Sequence, residues 1–317
     1  MRNQYTSSEK RAVFRCIFYS LVTLIIVGIA SALKWEEARH FTEEWFLWRD
    51  PVAAGMICGL VLSLLGVYIL LNRIVFVSLA ISQGASFGIF FAFLIGAWTG
   101  VNLENSAIPL FIGLLMAIAT AVLFARYRRK SRYPDESLIA LIYIATSGLI
   151  ILIGDRISQG RHNIDNLLFG DAVAVTAEDL GLIAAVAVPV LAFHLIYRRQ
   201  FLYGSADSDF MKIRGMKSRA WMIFLYFTLT AAITASLKVV GALPVFALMV
   251  LPPFISLKKG RGLGDAFLVS ILIGTLLPAL GYFFSFLFSF PTGASLIFVA
   301  LLYSLASLLE PRMKIAA

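Results

Sequence analysis

Charged residues are scarce in this sequence, and their scarcity argues against a water-soluble fold. Only 14% of the 317 residues are Asp, Glu, Lys or Arg, whereas 60% are hydrophobic; soluble domains average about 25% charged residues. The mean hydropathy is +0.87. A water-facing fold cannot bury so much apolar surface, so lipid must cover much of it. The composition therefore predicts a polytopic membrane protein.

Residues that bind metals or form disulfides are also rare. The two cysteines, Cys16 and Cys58, lie in apolar runs and are interpreted as small buried hydrophobic residues. The three histidines, His40, His162 and His194, have no metal-ligand spacing. No phosphate-binding loop of the G-x-x-x-x-G-K-[ST] type is present, nor any H-E-x-x-H or G-x-S-x-G motif. We therefore expect a chain that is not an enzyme, does not hydrolyse ATP itself and binds no cofactor of its own.

Ionisable side chains are nearly absent from the apolar runs. Lys238 lies at the outer end of one run, and His194 lies near an inner end, where its ring can reach the membrane interface. We interpret both as structural. Because no relay of buried carboxylates or histidines is present, the sequence disfavours a proton-driven pump.

The apolar runs predict an all-α, polytopic helical bundle with eight to ten membrane-spanning helices. A spanning helix needs about 20 mostly apolar residues. Ten candidate spans meet this requirement: 12–33, 51–71, 74–98, 106–125, 137–154, 178–197, 220–237, 239–257, 264–289 and 292–309. The joints at Asn72-Arg73 and at Lys238 are so short that either pair of runs could instead be a broken or re-entrant segment.

The distribution of positive charge predicts the orientation of these spans. If the N-terminus is inside, 21 of the 27 lysines and arginines lie in inner segments and 6 in outer ones. Such an excess on one side predicts that both termini are cytoplasmic. Because the positive charge is spread over every inner loop, it does not indicate a nucleic-acid partner.

Two segments outside the spans are long enough to bind a partner. The outer segment 34–50 mixes acidic residues with three tryptophans, which is typical of an amphipathic helix at the membrane interface. It is either an interfacial anchor or a docking surface for an external protein.

The inner segment 197–219 has Ser205 and Asp207 as possible helix caps, and its sequence predicts a short helix across 208–214 that ends near Gly215. It is either an ordinary basic loop or an element gripped by a cytosolic partner.

Polar side chains in the middle of the third apolar run suggest a transport pathway. Ser82, Gln83 and Ser86 occupy positions i, i+1 and i+4 of a helix, and Tyr143 and Ser147 share a face of another. We expect these two faces to line the pathway. The alternative is that they form hydrogen bonds between helices without transport, each worth about 0.6 kcal/mol.

Small-residue pairs at 55/59, 84/88 and 96/100 predict close helix packing, within the chain or in a dimer.

Six segments, in order along most of the chain from about residue 50 to 311, resemble the permease subunit of the zinc, manganese and iron type of ABC importer. The segments are 72–96, 135–153, the Leu-Phe-Gly loop in 166–180, the Asp-to-Gly stretch 207–216, the Val-Gly-Ala…Pro stretch 236–253, and the outer turn 290–298.

The resemblance implies a multi-pass protein of the bacterial or archaeal plasma membrane. It further implies a homodimeric permease, cytosolic ATP-binding subunits, an extracytoplasmic substrate-binding protein and a divalent metal as cargo. On this basis residues 1–50 form an additional helix and outer segment, 51–311 the permease domain and 312–317 a short tail. The resemblance also assigns ATPase coupling to the inner loop, with Asp207, Asp209, Arg214 and Gly215 as candidate residues.

The sequence departs from that family where a metal would be bound. Family members commonly carry histidine at the positions of Gln83 and Tyr143, and often aspartate near Leu79. An amide or a phenol is a poorer ligand for a divalent transition metal than an imidazole or a carboxylate. The metal ligands are therefore left unassigned. The alternatives are a different small cargo on the same fold, or a membrane scaffold or enzyme that does not transport.

Overall fold

A computed structural model describes most of the chain. The described residues are 2–101, 103, 106–127, 135–157, 168–170, 175–206, 211, 213, 215–216, 218–259 and 262–309. All regular secondary structure within them is helical, which confirms the all-α prediction.

Twelve helices of at least nine residues make up the described part of the chain. In chain order they are α1 (Arg2–Leu33), α2 (Trp35–Glu43), α3 (Trp45–Leu71), α4 (Val77–Thr99), α5 (Ile108–Tyr127), α6 (Asp135–Gly154), α7 (Ala177–Ile196), α8 (Arg198–Ala206), α9 (Ser218–Val240), α10 (Ala242–Lys259), α11 (Leu263–Phe288) and α12 (Thr292–Leu309).

Nine of the helices in the described residues are long and apolar enough to cross a membrane. They are α1, α3 to α7, α9, α11 and α12. The shorter apolar helix α10 occupies the predicted span 239–257. At 1.5 Å per residue its 18 residues measure about 27 Å, close to the thickness of the hydrocarbon core. The predicted polytopic bundle is confirmed.

The boundaries differ from the predicted ones at two places. The outer segment 34–50 is not one helix: α2 ends at Glu43, and the next helix begins at Trp45, six residues before the predicted span. The second joint lies at Gly241 and not at Lys238. Lys238 lies inside α9, and its ammonium pairs with the Asp179 carboxylate at the start of α7, at 2.8 Å.

The chain runs back and forth between two ends of the bundle. One end, predicted to be inner, holds the turn at 72–76, helix α8 and the α10–α11 turn. The other, predicted to be outer, holds α2, Gly170 and the turns at Gly241 and 289–291. The orientation of these ends in a membrane stays a prediction.

Helix α3 lies in the centre of the bundle and packs closely on α11 and α10. A Cβ on Gly59 would collide with the backbone of Gly274, and one on Gly66 would collide with the Met249 carbonyl. Without a hydrophobic driving force between helices in lipid, such close contact provides much of the association energy. The pair predicted at 55/59 therefore acts within the chain, against α11.

Helix α1 contacts the bundle through a few buried side chains, Arg15, Tyr19 and Ala30 among the described ones. Most of its apolar side chains are exposed, as expected for a helix that faces lipid. Arg15 reaches inward: its guanidinium donates to Asp265 at 2.9 Å and to the carbonyls of Ser256 and Ile255 at 3.0 and 3.2 Å. Further along, the rings of Tyr19 and Tyr303 stack with 6.0 Å between their centroids.

Helix α2 lies on the outer end of α11. Its side chains of Ala38 and Phe41 are buried, and the Phe41 ring meets Phe283 and Phe286 at 5.2 Å each. Trp35 and Trp45 are largely exposed. This arrangement fits an amphipathic helix whose opposite face is open to the interface.

Candidate functional site

The polar side chains predicted to line a pathway lie deep in the bundle on α4. Ser82, Gln83 and Ser86 are all buried, with at most 2% of each residue exposed. Gln83 is the largest of the three and presents both a carbonyl oxygen and an amide donor. Burial of such groups in an apolar bundle is costly unless they are hydrogen-bonded.

Helix α6 packs against α4 and brings one of its predicted residues to Gln83. The hydroxyl of Ser147 donates to Oε1 of Gln83 at 3.4 Å. This distance is longer than the usual value of about 2.8 Å for hydroxyl donors, so the contact is loose. Ser147 and Tyr143 are both half-buried. The structure therefore brings together the two predicted faces, while their role in transport stays a prediction.

The two serines of α4 differ in what their hydroxyls contact. Ser82 donates to the Leu79 carbonyl of its own helix at 3.0 Å. The Ser86 hydroxyl is buried and finds no hydrogen-bond partner among the described residues. Of the predicted α4 set, Gln83 and Ser86 are thus the two residues whose polar atoms do not bond their own helix backbone among the described residues.

The glycines of α4 face a different neighbour from the polar side chains. A Cβ on Gly84 would clash with Thr120, and one on Gly88 would lie 2.7 Å from the Ile112 carbonyl, so both glycines pack on α5. Gly96 of the predicted pair 96/100 packs on residues 101 and 103 and not on another helix, and a role of the pair in a dimer stays a prediction. Gly100 ends the helix with φ +72° and has no atom within 4 Å of a Cβ position.

Oxygen atoms dominate the chemistry of this buried face. Within the described residues, no group of three or more His, Cys, Asp or Glu side chains could hold a metal ion. Amide and hydroxyl oxygens bind hard cations such as Mn²⁺ better than soft ones. A cation that passed Gln83, Ser86 and Ser147 would therefore be held weakly and released easily, as conduction requires.

Three of the motif segments meet at the predicted outer end. The backbone of Phe169 and Gly170 lies directly against Gly241 and Gly293, and a Cβ on any of these three glycines would collide with the neighbouring backbone. Thr292 also donates from Oγ1 to the Gly170 carbonyl at 3.4 Å. The Leu-Phe-Gly loop is therefore fixed between the α9–α10 joint and the start of α12, a contact that their separation in sequence does not reveal.

A cavity of about 760 Å³ opens beside this contact. Its walls come from α2, the start of α3, Gly170 and the α11–α12 turn, with Glu37, His40, Glu44, Trp48, Phe286 and Phe290 among its lining residues. A hydrogen bond from Lys34 keeps the pKa of Glu37 below its usual value. Glu37 is therefore ionised at neutral pH and forms an ion pair with the Lys34 ammonium at this wall of the cavity.

The predicted coupling residues are only partly within the described chain. Asp207, Asp209 and Arg214 lie outside the described residues. Gly215 is described and has φ +68°, while the Met216 amide donates to the Met211 carbonyl at 2.9 Å. This bond is the one that closes a helix end with glycine in the left-handed conformation. The predicted helix end at Gly215 is confirmed, and its role in coupling stays a prediction.

Helix α8 precedes this segment and is held by an aromatic side chain. Phe201 is inserted among Tyr68 of α3, Phe193 and His194 of α7, and Trp221 of α9, which we call the aromatic socket. Its ring stacks on His194 with 4.2 Å between centroids and 18° between planes. Ser205, predicted as a possible helix cap, is instead a buried residue inside α8.

His194 is buried in the bundle and does not reach the membrane interface, so this prediction is wrong. It was expected to reach the membrane interface, but it is 1% exposed. Its Nδ1 lies 2.9 Å from the Val190 carbonyl, and its Nε2 is buried with no hydrogen-bond partner among the described residues. The sequence shows only that His194 lies near the end of a span; burial comes from α8 folding back over the end of α7.

The ion pair between Arg15 and Asp265 was also missed. The two side chains are 4% and 6% exposed and lie 250 positions apart in the chain. Arg15 was counted among the inner positive charges, and nothing near either residue indicates the other. Only the packing of α1 on α11 brings them together.

The sequence of this chain matches a known protein family and is similar to named membrane transport proteins. Residues 46–310 match the model of the ABC 3 transport family. The manganese transport system membrane protein MntC of Listeria innocua is 25% identical over 80% of this chain and 87% of its own length. The chelated iron transport system membrane protein YfeD of Yersinia pestis is 24% identical over 83% of this chain and 85% of its own length.

Two solved structures share the fold. PsaBC from Streptococcus pneumoniae, in complex with a Fab, superposes with a TM-score of 0.73 at 20% identity and covers 86% of this chain and 94% of that one. A structure described as an inward-facing metal-chelate type ABC transporter gives a TM-score of 0.70 at 14% identity, over 92% and 98% of the two chains.

Proposed function

The chain belongs to the ABC 3 transport family, and we propose from this premise that it is the membrane permease of an ABC importer for a divalent transition metal. The observation that carries the proposal is the family match over residues 46–310. It agrees with the resemblance that six separate segments of the sequence carry. In the described part of the chain, nine helices are long and apolar enough to cross a membrane, as a multi-pass membrane protein requires.

Manganese or ferrous iron is the proposed cargo. Relatives over most of the chain are named as manganese and chelated iron transport proteins. The oxygen-rich face formed by Gln83, Ser86 and Ser147 suits Mn²⁺ better than Zn²⁺, because zinc prefers imidazole and thiolate ligands. Gln83 replaces the histidine common in the family, and this replacement favours a harder cation.

ATP hydrolysis is assigned to a separate subunit. The sequence has no phosphate-binding loop, so the energy for transport must come from a partner. We place a cytosolic ATP-binding subunit at the end of the bundle that holds Gly215 and α8. An extracytoplasmic binding protein would deliver the metal to the end that holds the cavity.

A homodimer completes the proposed pathway. Tyr143 and Ser147 are only half-buried in a single chain, and the same helix exposes Leu141, Ile144 and Leu152. A second copy of α6 would cover these apolar side chains and close the polar face from lipid. Replacing Ile144 with cysteine, in a chain whose own cysteines are removed, should allow crosslinking between copies.

The test of the function is metal uptake by the assembled transporter. The chain, purified with its ATP-binding subunit and binding protein and placed in vesicles, should accumulate Mn²⁺ or Fe²⁺ only when ATP is supplied. Competition between Mn²⁺, Fe²⁺ and Zn²⁺ identifies the preferred cargo. A chain that recruits no ATP-binding subunit, or that transports none of these ions, would contradict the proposal.

A further inference from the structure

Phe201 is the largest side chain that α8 buries against the membrane-spanning helices. Phe201 is 1% exposed and meets side chains from α3, α7 and α9. By contrast, Arg198 and Arg199 at the start of α8 are exposed. A nine-residue helix cannot be stable alone in water, so its position is set by the socket that receives Phe201.

The segment that carries Gly215 rests in turn on α8. Met211 is fully buried, and its sulfur lies 3.3 Å from the Cβ position of Gly204 on α8. Two positions further, Ile213 is 84% exposed and projects away from the bundle. A force applied to this projecting segment would therefore reach α8 through Met211, and reach three spanning helices through Phe201.

The aromatic socket contains a ring nitrogen that makes no hydrogen bond to the described residues. Nε2 of His194 is buried and has no hydrogen-bond partner among the described residues, although the ring stacks directly on Phe201. A buried polar atom without a partner carries a free-energy penalty and calls for an explanation. A second arrangement of the socket that gives Nε2 a partner would remove this penalty.

We propose that the aromatic socket transmits movement between the coupling segment and the membrane-spanning helices, with Phe201 as its positioning residue. The proposal rests on the function proposed above. In it, binding of ATP by the partner subunit moves the 211–216 segment, Phe201 carries that movement into α3, α7 and α9, and the socket alternates between two arrangements. The structure described here is the arrangement in which Nε2 of His194 is unpaired.

The first test replaces Phe201 with alanine. The variant should still assemble with the ATP-binding subunit and hydrolyse ATP, but the Mn²⁺ transported per ATP hydrolysed should fall several-fold. Phe201→Leu keeps most of the buried volume and should restore most of this ratio. The control is Phe124→Ala, which removes an equally buried ring from α5, outside the socket. It should reduce thermal stability without changing the ratio.

The second test replaces His194 with phenylalanine, and it decides the matter if Phe201→Ala fails to assemble. The larger aromatic side chain keeps the stacking and removes the unpaired nitrogen. The variant should be at least as heat-stable as the wild type. Its rate of ATP hydrolysis and transport should be lower, because the substitution stabilises the observed arrangement of the aromatic socket relative to the second one.

Wild-type transport per ATP in Phe201→Ala would overturn the proposal, as would wild-type turnover in His194→Phe. If the wild-type chain transports metal and both variants transport and turn over as the wild type does, this inference is contradicted and the proposed function still stands. If the wild-type chain recruits no ATP-binding subunit, both the proposed function and this inference are contradicted.

Discussion

At the scale of single residues, the polar atoms of α4 fall into two classes. The Ser82 hydroxyl bonds its own helix backbone, whereas Gln83 reaches Ser147 on α6 and the Ser86 hydroxyl is unpaired. A hydroxyl that bonds the backbone of its own helix is satisfied at little cost. Gln83 and Ser86 have no such bond to their own helix among the described residues, and their role in a pathway stays a prediction.

Replacing Gln83 with leucine should therefore reduce Mn²⁺ uptake. A loss of about tenfold would correspond to ~1.4 kcal/mol of interaction with the cation, and assembly should be unchanged because leucine fills a similar volume. Ser82→Ala on the same helix is the matched control and should transport normally. Uptake that is unaffected by Gln83→Leu would show that the amide only joins α4 to α6.

The ion pair between Arg15 and Asp265 gives a prediction about stability. Removal of one partner leaves a buried charge uncompensated and typically costs about 3–5 kcal/mol. We expect Asp265→Ala to lower the unfolding temperature in detergent markedly. The double variant Arg15→Met, Asp265→Leu should recover most of the loss, because an apolar pair of similar size often replaces a buried ion pair without cost. A double variant as unstable as the single one would contradict this account.

The sequence predicted some of these residues and could not predict others. Ser82, Gln83 and Ser86 stand out because polar groups are unusual in an apolar helix, and helical periodicity placed them with Tyr143 and Ser147. The unpaired nitrogen of His194 and the partner of Arg15 depend on contacts between segments far apart in the chain. Periodicity carries no information on such contacts.

At the scale of helices, glycines determine which neighbours come close. Gly84 and Gly88 let α4 approach α5, and Gly59 and Gly274 do the same for α3 and α11. The spacing of glycines predicted close approach but not the partner helix. Helix ends were predicted less well: residues 45–50 were assigned to an interfacial helix together with 34–44, yet they form the first turns of α3.

Replacing Gly88 with valine should separate α4 from α5. Its Cβ would lie 2.7 Å from the Ile112 carbonyl and 2.8 Å from the Gly113 Cα, and overpacking of this kind costs about 1–3 kcal/mol. The expected result is a lower unfolding temperature and less assembled protein in the membrane. Gly181→Val on α7 is the control, since a Cβ there meets no atom within 4 Å. Equal loss in both variants would mean that the effect comes from helix propensity alone.

At the scale of the whole molecule, the two ends of the bundle differ in construction. At the predicted outer end, backbone segments pack directly on each other at Gly170, Gly241 and Gly293. The predicted inner end carries the exposed arginines of α8 and the exposed Ile213. This polarity agrees with a binding protein on one side and a motor on the other.

Labelling of single cysteines tests the orientation. In a chain whose Cys16 and Cys58 are replaced by alanine, Glu37→Cys should react with a membrane-impermeant maleimide in intact cells. Arg198→Cys should react only after the membrane is opened, because the excess of positive charge predicts that its end lies inside. The reverse pattern would invert the topology and would also remove the coupling role of the 211–216 segment.

The reach of Arg15 into the bundle has a consequence for any shortened form of this protein. A fragment that begins at residue 46 would contain the whole family-matched region, and from its sequence it would look self-sufficient. It would also keep a buried carboxylate at position 265 after Arg15, its counter-ion among the described residues, had been deleted. Attempts to produce a minimal permease should therefore retain the first helix or neutralise that carboxylate.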